Sequence, residues 1–282
     1  MRQMPEHNTR RTAWFLALLA CLLCCLGAAV ASEEPAENTS LSAAVCPIVY
    51  QLDQAPASRG YRYSFFGNGF FINEEGYVLT VAHVLETFRG GGQPYILVSR
   101  PDSPPQLLRA DVIAVDKEHD VAILRATPNP FVGKHKVTFL PLASESAVLG
   151  QHVIALSLHP QTPQNARSFQ APQEDRSSGE VLSYESTKLE KSAPAADVFL
   201  LSHPVTLGQS GSPVLAQDSQ AVVGLIEGRW LRSSGLSITK ASSRSASVPG
   251  AAIPIRYAIA LLQSQSIAWH TPQIRAASSP TP

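Results

Sequence analysis

The segment Thr206-Leu-Gly-Gln-Ser-Gly-Ser-Pro-Val-Leu215 places two glycines and two serines between apolar residues. Gly and Ser are ordinary turn residues, so a β-turn is the simplest interpretation. The alternative is a serine nucleophile on a tight turn, with neighbouring backbone N–H groups directed at a developing oxyanion. Ser210 and Ser212 are both candidates. Because a serine hydroxyl alone is a weak nucleophile, the choice depends on a general base elsewhere in the chain.

Among the eight histidines, His83 differs from the others because it follows a short apolar run of strand length. A serine–histidine pair also needs a buried carboxylate that holds the imidazole in one tautomer. Asp120 opens the apolar run Asp-Val-Ala-Ile-Leu, although Asp is depleted in strands. Asp111 and Asp116 do not begin equally apolar runs. The order His83, Asp120, Ser210 therefore predicts a catalytic triad.

The rest of the chain contains many short apolar segments separated by Gly, Pro, Asn and Asp. This pattern predicts β-barrels or a β-sandwich. Two polar stretches, 160–178 and 232–249, are predicted loops. Hydrophobic residues make up 44% of the chain, and the formal net charge is zero. This composition suits a globular protein with a large core and gives no basic stripe for binding nucleic acid.

The N-terminus has the pattern of a secretory signal peptide over residues 1–31. Arg10 and Arg11 precede an uncharged apolar run that ends in Ala29-Val-Ala31. An uncleaved signal anchor, which would attach the protein to a membrane, and a lipoprotein box ending at Cys21 remain alternatives. After cleavage only Cys46 of the four cysteines would remain, so no intramolecular disulfide is expected.

Taken together, several segments resemble, in the same order, motifs of the trypsin-like (chymotrypsin-fold) serine proteases, specifically the bacterial HtrA or Deg branch. The matching segments are Gly67-Asn-Gly-Phe-Phe-Ile72, Tyr77-Val-Leu-Thr-Val-Ala-His-Val84, His119-Asp-Val-Ala-Ile-Leu124, Gly150-Gln-His-Val-Ile-Ala-Leu-Ser157, Ser178-Gly-Glu-Val-Leu-Ser183, Gly208-Gln-Ser-Gly-Ser-Pro213, Ala221-Val-Val-Gly-Leu225 and Ala252-Ile-Pro254. The resemblance extends from about Cys46 to Gln263.

The resemblance implies an all-β fold of two six-stranded antiparallel β-barrels followed by a short C-terminal helix. The protease domain is expected at 45–265. Within it, barrel one covers about 45–145, barrel two about 146–254, and the helix about 255–264. A flexible leader at 32–44 would precede the domain, and a disordered tail at 266–282 would follow it, with no PDZ domain expected.

The resemblance also assigns the candidate site. In the pattern G-x-S-G-x-P the serine in third place is the nucleophile, which selects Ser210, and the amides of Gly208 and Ser210 would form the oxyanion hole. The implied substrate pocket comprises Pro204, Val205, Thr206, Leu207, Glu227, Gly228 and Arg229. No acidic residue lies between His203 and Ser210, so small or medium apolar side chains are expected at the cleaved position. Glu227 takes a place beside the triad where the family usually has a small polar residue.

The expected function is that of an exported serine endopeptidase, periplasmic or secreted, that cleaves polypeptide substrates through an acyl-enzyme. Neither a metal nor an organic cofactor is implied. A protease-fold binding or scaffold protein with little or no turnover is the alternative, favoured by Glu227 and by the unusual loops. An esterase with the same triad is a third interpretation, but the serine spacing does not fit the nucleophile elbow of α/β hydrolases.

Overall fold

The structure is a computed structural model that describes residues 41–52, 62–86, 92–100, 103–134, 138–161, 169–189, 192–230 and 248–272. The signal sequence predicted at 1–31 lies outside the described residues, as do most of the predicted leader and residues 273–282. Most of the predicted loop at 232–249 lies outside them too. The described part of the chain consists mainly of strands, with a 3-10 helix at Leu41–Ala44.

Six antiparallel strands form the first closed barrel, in the spatial order β1-β2-β3-β6-β5-β4. Their bounds are β1 (Val45–Leu52), β2 (Arg62–Phe71), β3 (Tyr77–Thr80), β4 (Pro94–Arg100), β5 (Ser103–Asp116) and β6 (Val121–Thr127). The barrel closes where Ile48 of β1 lies opposite Ile96 of β4. Register shifts in β1 and β5 are of the kind that lets strands bend around a small barrel. A short helix, α1 (Ala82–Glu86), follows β3.

The second closed barrel has the spatial order β10-β11-β12-β9-β8-β7. Its strands are β7 (His152–His159), β8 (Gln173–Thr187), β9 (Ala196–Leu201), β10 (Pro213–Ala216), β11 (Val222–Arg229) and β12 (Gly250–Pro254), and the helix α2 (Ile255–Ser264) follows directly. The predicted fold class, two six-stranded antiparallel barrels with a short C-terminal helix, is confirmed.

A single apolar cluster joins the two barrels and α2. It includes Phe70 of barrel one, Leu156 of barrel two and Leu262 of the helix, all fully buried. A second cluster around Phe199 fills barrel two. Each large apolar side chain contributes about 1.5–3 kcal/mol when it is fully buried, so the shared cluster is what holds the barrels against each other.

At three places the structure differs from the local expectations. Residues 41–44 of the predicted leader form a 3-10 helix in which Ala44 is buried. Residues 173–178 of the predicted loop belong to β8. The disordered tail expected from residue 266 does not begin there, because Ile267 is 7% exposed and the Ala268 carbonyl accepts a hydrogen bond from Asn73 at 2.7 Å.

Candidate active site

His83 lies on α1, at the end of β3, where the backbone passes from strand to helix. Its side chain is 39% exposed, so one edge of the imidazole is open to solvent. The other edge faces Asp120, with 2.7 Å between Nδ1 and Oδ2. The two side chains that the sequence selected therefore lie side by side, although 37 positions separate them.

Asp120 is buried and holds both the backbone and the side chain of His83. Its Oδ1 accepts the His83 backbone N–H at 2.8 Å, and its own carbonyl accepts the Ala82 N–H at 3.2 Å. The residue has a positive φ of 53°, a left-handed conformation that Asp tolerates better than most residues. Because both carboxylate oxygens are used, the imidazole is fixed in orientation, and an acceptor beside Nδ1 favours the tautomer with the proton on that nitrogen.

Ser210 lies on the loop between β9 and β10, and Gly208 and Gly211 on either side of it have φ of 92° and 80°. Only glycine adopts such angles without strain. Neither position has room for a side chain. A Cβ on Gly208 would lie 2.5 Å from Phe65 Cε1, and a Cβ on Gly211 would lie 2.1 Å from the Asn68 carbonyl oxygen.

Three consecutive carbonyl groups of this loop accept hydrogen bonds. The Gly208 and Ser210 carbonyls accept hydrogen bonds from Asn68 at 2.9 and 2.8 Å, and the Gln209 carbonyl accepts the Ser212 N–H at 3.0 Å. Within the described residues, the N–H groups of Gly208 and Ser210 donate to no protein acceptor. Gln209 alone separates these two donors, and both remain available to an acceptor, as the donors of an oxyanion hole must be.

Glu227, on β11, lies close to Ser210. The Ser210 hydroxyl donates a hydrogen bond to the Glu227 carbonyl oxygen at 3.1 Å. Burial raises the pKa of the Glu227 carboxyl, the positive charge of His83 lowers it, and the negative charge of Asp120 raises it. The net shift is upward, so Glu227 retains its proton to a higher pH than an ordinary glutamate.

Opposing effects act on the pKa of His83. Burial lowers the pKa of His83, but the hydrogen bond and negative charge of Asp120 raise it. The charges of Glu227 and Glu86 raise the pKa further, and the net value lies above that of an ordinary histidine. The imidazole therefore loses its proton at a higher pH than it would in water.

The residues that the sequence assigned to the substrate pocket differ in how deeply they are buried. Val205 is buried, whereas Pro204 and Thr206 are exposed, and Leu207 is 90% exposed. The half-buried Gly228 and the exposed Arg229 end β11, where the Arg229 Nε donates to the Val205 carbonyl oxygen at 3.0 Å. This hydrogen bond holds the end of β11 against the segment that precedes Ser210.

The sequence did not predict the roles of two buried polar residues in and beside the loop that carries Ser210. Asn68, on β2, is fully buried and touches the loop twice. Gln209 is also buried; its Oε1 accepts the Thr206 N–H at 2.7 Å, and its Nε2 donates to Asp175 Oδ2 at 3.0 Å. The one general rule that applies to them is that buried polar groups are hydrogen-bonded, and this rule does not identify particular residues in a sequence.

A second histidine–aspartate pair has the same local geometry. His119 Nδ1 lies 2.7 Å from Asp116 Oδ2, and the His119 backbone N–H donates to Asp116 Oδ1 at 3.1 Å. This imidazole stacks on the ring of Tyr257 at 4.1 Å between centroids. The pair is local in sequence and supports the turn between β5 and β6.

Other reactive groups offer no competing site in the described part of the chain. Complete burial raises the pKa of the Cys46 thiol far above its ordinary value, so the group stays protonated and unreactive. Among the described residues no cluster of three or more histidine, cysteine, aspartate or glutamate side chains is placed to hold a metal ion.

Two closed barrels, with a histidine–aspartate pair on the first and a serine on a glycine-rich turn of the second, give the chain a chymotrypsin-like fold. The family model of the trypsin-like peptidase domain matches residues 67–225, more than half of the chain. The chain therefore belongs to the trypsin-like peptidase domain family, and the resemblance drawn from the sequence is confirmed.

A DegP-like protein is similar to part of the chain. A probable periplasmic serine endoprotease, DegP-like, from Halomonas elongata is 34% identical over 109 residues. That match covers 38% of this chain and spans a fifth (20%) of the relative's length.

Solved structures share the fold. The active form of the Rv3671c protease from M. tuberculosis has a TM-score of 0.54 at 20% identity, covering 83% of this chain and 84% of its own. The HtrA-type protease AlgW with a tripeptide has a TM-score of 0.53 at 18% identity, covering 79% of this chain and 60% of its own.

Proposed function

We propose that this protein is an exported serine endopeptidase that hydrolyses peptide bonds through Ser210, His83 and Asp120. The observation that carries the proposal is the 2.7 Å contact between His83 and the buried Asp120 carboxylate. The unpaired amides of Gly208 and Ser210 support it, since they offer two donors next to the nucleophile. Family membership supplies the reaction class.

In the proposed reaction, the Ser210 hydroxyl transfers its proton to His83 Nε2 as its oxygen attacks the scissile carbonyl carbon. Asp120 keeps Nδ1 protonated, so Nε2 is the basic nitrogen, and its charge stabilises the imidazolium that forms. The amides of Gly208 and Ser210 hold the tetrahedral oxyanion. His83 then protonates the leaving amine as the carbon–nitrogen bond breaks. Water, activated by the same imidazole, hydrolyses the ester to free the acid and restore Ser210.

The proposed substrates are polypeptides with a small or medium apolar side chain at the cleaved position. The segment before Ser210 contains no acidic residue that could pair with a buried lysine or arginine. The cost of burying an unpaired ammonium group disfavours such substrates. Val205 is the one buried residue of the predicted floor segment 204–207.

Export to the periplasm is proposed from the N-terminal sequence together with the DegP-like relative, which is described as periplasmic. In the described part of the chain, neither α-helix has the length or apolar character needed to span a bilayer. Membrane attachment through residues 1–31 is the alternative.

A second candidate function is a protease-fold binding protein with weak or no turnover. The Ser210 hydroxyl donates to the Glu227 carbonyl oxygen, and the Glu227 carboxyl lies near the histidine–aspartate pair. A second carboxyl group there could keep His83 protonated and so reduce its strength as a base at neutral pH.

Labelling with a fluorophosphonate probe tests the proposal, because it reports an activated serine without knowledge of the substrate. We expect the wild-type protein to be labelled and Ser210→Ala to lose all labelling. Ser212→Ala is the matched control: its hydroxyl is fully buried and has no partner among the described residues, so labelling should persist. A folded wild-type protein that is not labelled would favour the binding protein, and labelling lost only in Ser212→Ala would reject Ser210.

A further inference from the structure

Leu207 is an exposed apolar side chain beside the nucleophile. At 90% exposure it is the most exposed large hydrophobic residue in the described part of the chain. It directly precedes Gly208 on the loop that carries Ser210. The sequence assigned it to the substrate pocket, but a side chain this open does not line an enclosed pocket. Because burial of a leucine is favourable, its surface is available to a partner that enters the site.

The turn that carries Leu207 is closed by hydrogen bonds. The Gln209 N–H donates to the Thr206 carbonyl at 3.3 Å, and the Thr206 N–H donates to Gln209 Oε1 at 2.7 Å. The Gln209 side chain is buried, and its Nε2 donates to Asp175 Oδ2 at 3.0 Å. The backbone of Leu207 is therefore held before any partner arrives, which lowers the entropy lost when its side chain makes a contact.

A second apolar side chain, from barrel one, adjoins the same glycine. Phe65, on β2, is half-buried, and its ring packs edge-to-face on His159 with 5.8 Å between centroids. A Cβ on Gly208 would lie 2.5 Å from Phe65 Cε1, so the ring lies directly against the Gly208 backbone. Single exposed apolar side chains are common on protein surfaces, but Leu207 and Phe65 both adjoin a proposed oxyanion donor.

The positions of β11 and His83 decide which part of a substrate reaches these two side chains. The Glu227 carbonyl of β11 accepts the Ser210 hydroxyl, so the residue before the cut, whose pocket is predicted along β11, extends towards barrel two. The leaving nitrogen must reach His83, which belongs to barrel one. A Cβ on Gly67 of β2 would lie 2.6 Å from the Ser210 carbonyl oxygen and 2.7 Å from the side chain that follows His83. The chain after the cut therefore leaves over β2, which carries Phe65.

We infer that Leu207 and Phe65 determine specificity on the leaving-group side, where together they contact an apolar side chain on the residue that follows the cut. The inference rests on the proposed function. It is separate from the proposed pocket for the residue before the cut, which lies on the other side of the scissile bond. Contact with the two side chains favours leucine or phenylalanine over glycine, because it removes apolar surface of both partners from water.

Partitioning of the acyl-enzyme isolates the leaving-group side. A peptide thioester that ends in alanine acylates Ser210, and an added amino-acid amide then competes with water. The amine nitrogen attacks the acyl carbon, its proton passes through His83 to the departing Ser210 oxygen, and a peptide bond forms. We expect phenylalaninamide to react about tenfold better than glycinamide, the lower end of what one apolar group contributes to discrimination. Both amides react with the same acyl-enzyme, so changes in acylation cancel from this ratio.

Leu207→Ser is the decisive variant, because the side chain is 90% exposed and its loss removes no core packing. Phe65→Ser tests the contribution of barrel one. Both changes should move the ratio of phenylalaninamide to glycinamide reaction towards that of two equal nucleophiles. Leu149→Ser is the matched control, since Leu149 is a 64% exposed leucine on the turn before β7. That variant should keep the wild-type ratio.

A second readout does not require turnover. In Ser210→Ala protein, phenylalaninamide should shift the methyl NMR signals of Leu207, whereas glycinamide should not, and the methyl signals of Leu149 should stay in place. If the wild type forms no acyl-enzyme, the proposed function fails while this titration still tests the contact. The inference is overturned by the absence of a Leu207 shift, by an unchanged ratio in folded Leu207→Ser, by an equal fall in Leu149→Ser, or by a change confined to the residue before the cut.

Discussion

Replacing Asp120 with asparagine tests whether the tautomer of His83 controls the reaction. The carboxylate accepts two hydrogen bonds from His83, at 2.8 Å from the backbone N–H and at 2.7 Å from Nδ1. An asparagine side chain has only one acceptor oxygen. If its oxygen stays with the backbone N–H, its NH₂ group faces Nδ1 and can donate only to an unprotonated nitrogen. The proton then moves to Nε2, and the imidazole can no longer accept a proton from Ser210.

The expected loss is about 10⁴-fold in the rate of fluorophosphonate labelling, the size found when a triad histidine is held in the wrong tautomer. Stability should fall by about 1.5–3 kcal/mol, the contribution of one hydrogen bond to a charged group. The assay is the second-order labelling rate, measured beside the urea unfolding midpoint so that any loss of folded protein is separated from loss of chemistry.

The second histidine–aspartate pair provides the control. Asp116→Asn makes the same chemical change against His119, with the same 2.7 Å contact between Oδ2 and Nδ1. That variant should lose some stability and keep the wild-type labelling rate. A labelling rate for Asp120→Asn within tenfold of the wild type, in protein that is fully folded, would refute the assignment of His83 as the base.

Three further predictions concern pH and specificity. Because the charge of Glu227 raises the pKa of His83, Glu227→Gln should move the midpoint of the pH–labelling profile to lower pH, and an unchanged midpoint would remove Glu227 from the site. Burial lowers the pKa of His203, so the folded state disfavours its protonation and the protein should lose stability as pH falls below about 6.5. Neither ring nitrogen of His203 has a partner in the described part of the chain. His203→Leu should therefore reduce the loss of stability, measured by thermal unfolding, between pH 7.5 and pH 5. An equal pH dependence in the wild type and the variant would contradict the prediction. A peptide-library digest should show small or medium apolar residues at the cleaved position, and dominant cleavage after lysine or arginine would reject the assignment of Pro204 to the pocket floor.

The sequence predicted the fold well where apolar residues mark the strands and less well where they do not. The apolar residues 121–124 and 222–226 lie in β6 and β11, whose side chains are largely buried. The sequence predicts a loop for the first part of β8, residues 173–178, because its residues are polar, and in the structure these side chains are mostly exposed. Its strand conformation comes from pairing with β7 rather than from its own side chains.

The sequence predicted the two-barrel fold class, and Ser210 rather than Ser212, through its resemblance to the trypsin-like serine proteases. It singled out His83 and Asp120 through residue type, order and the apolar strands beside them. Only the tertiary structure decided what surrounds them. Asn68 reaches the Gly208 carbonyl across 140 positions, and Ser210 reaches the Glu227 carbonyl across 17. Local patterns do not encode such contacts, because barrel closure and the packing of one barrel on the other set which distant groups come within hydrogen-bonding distance.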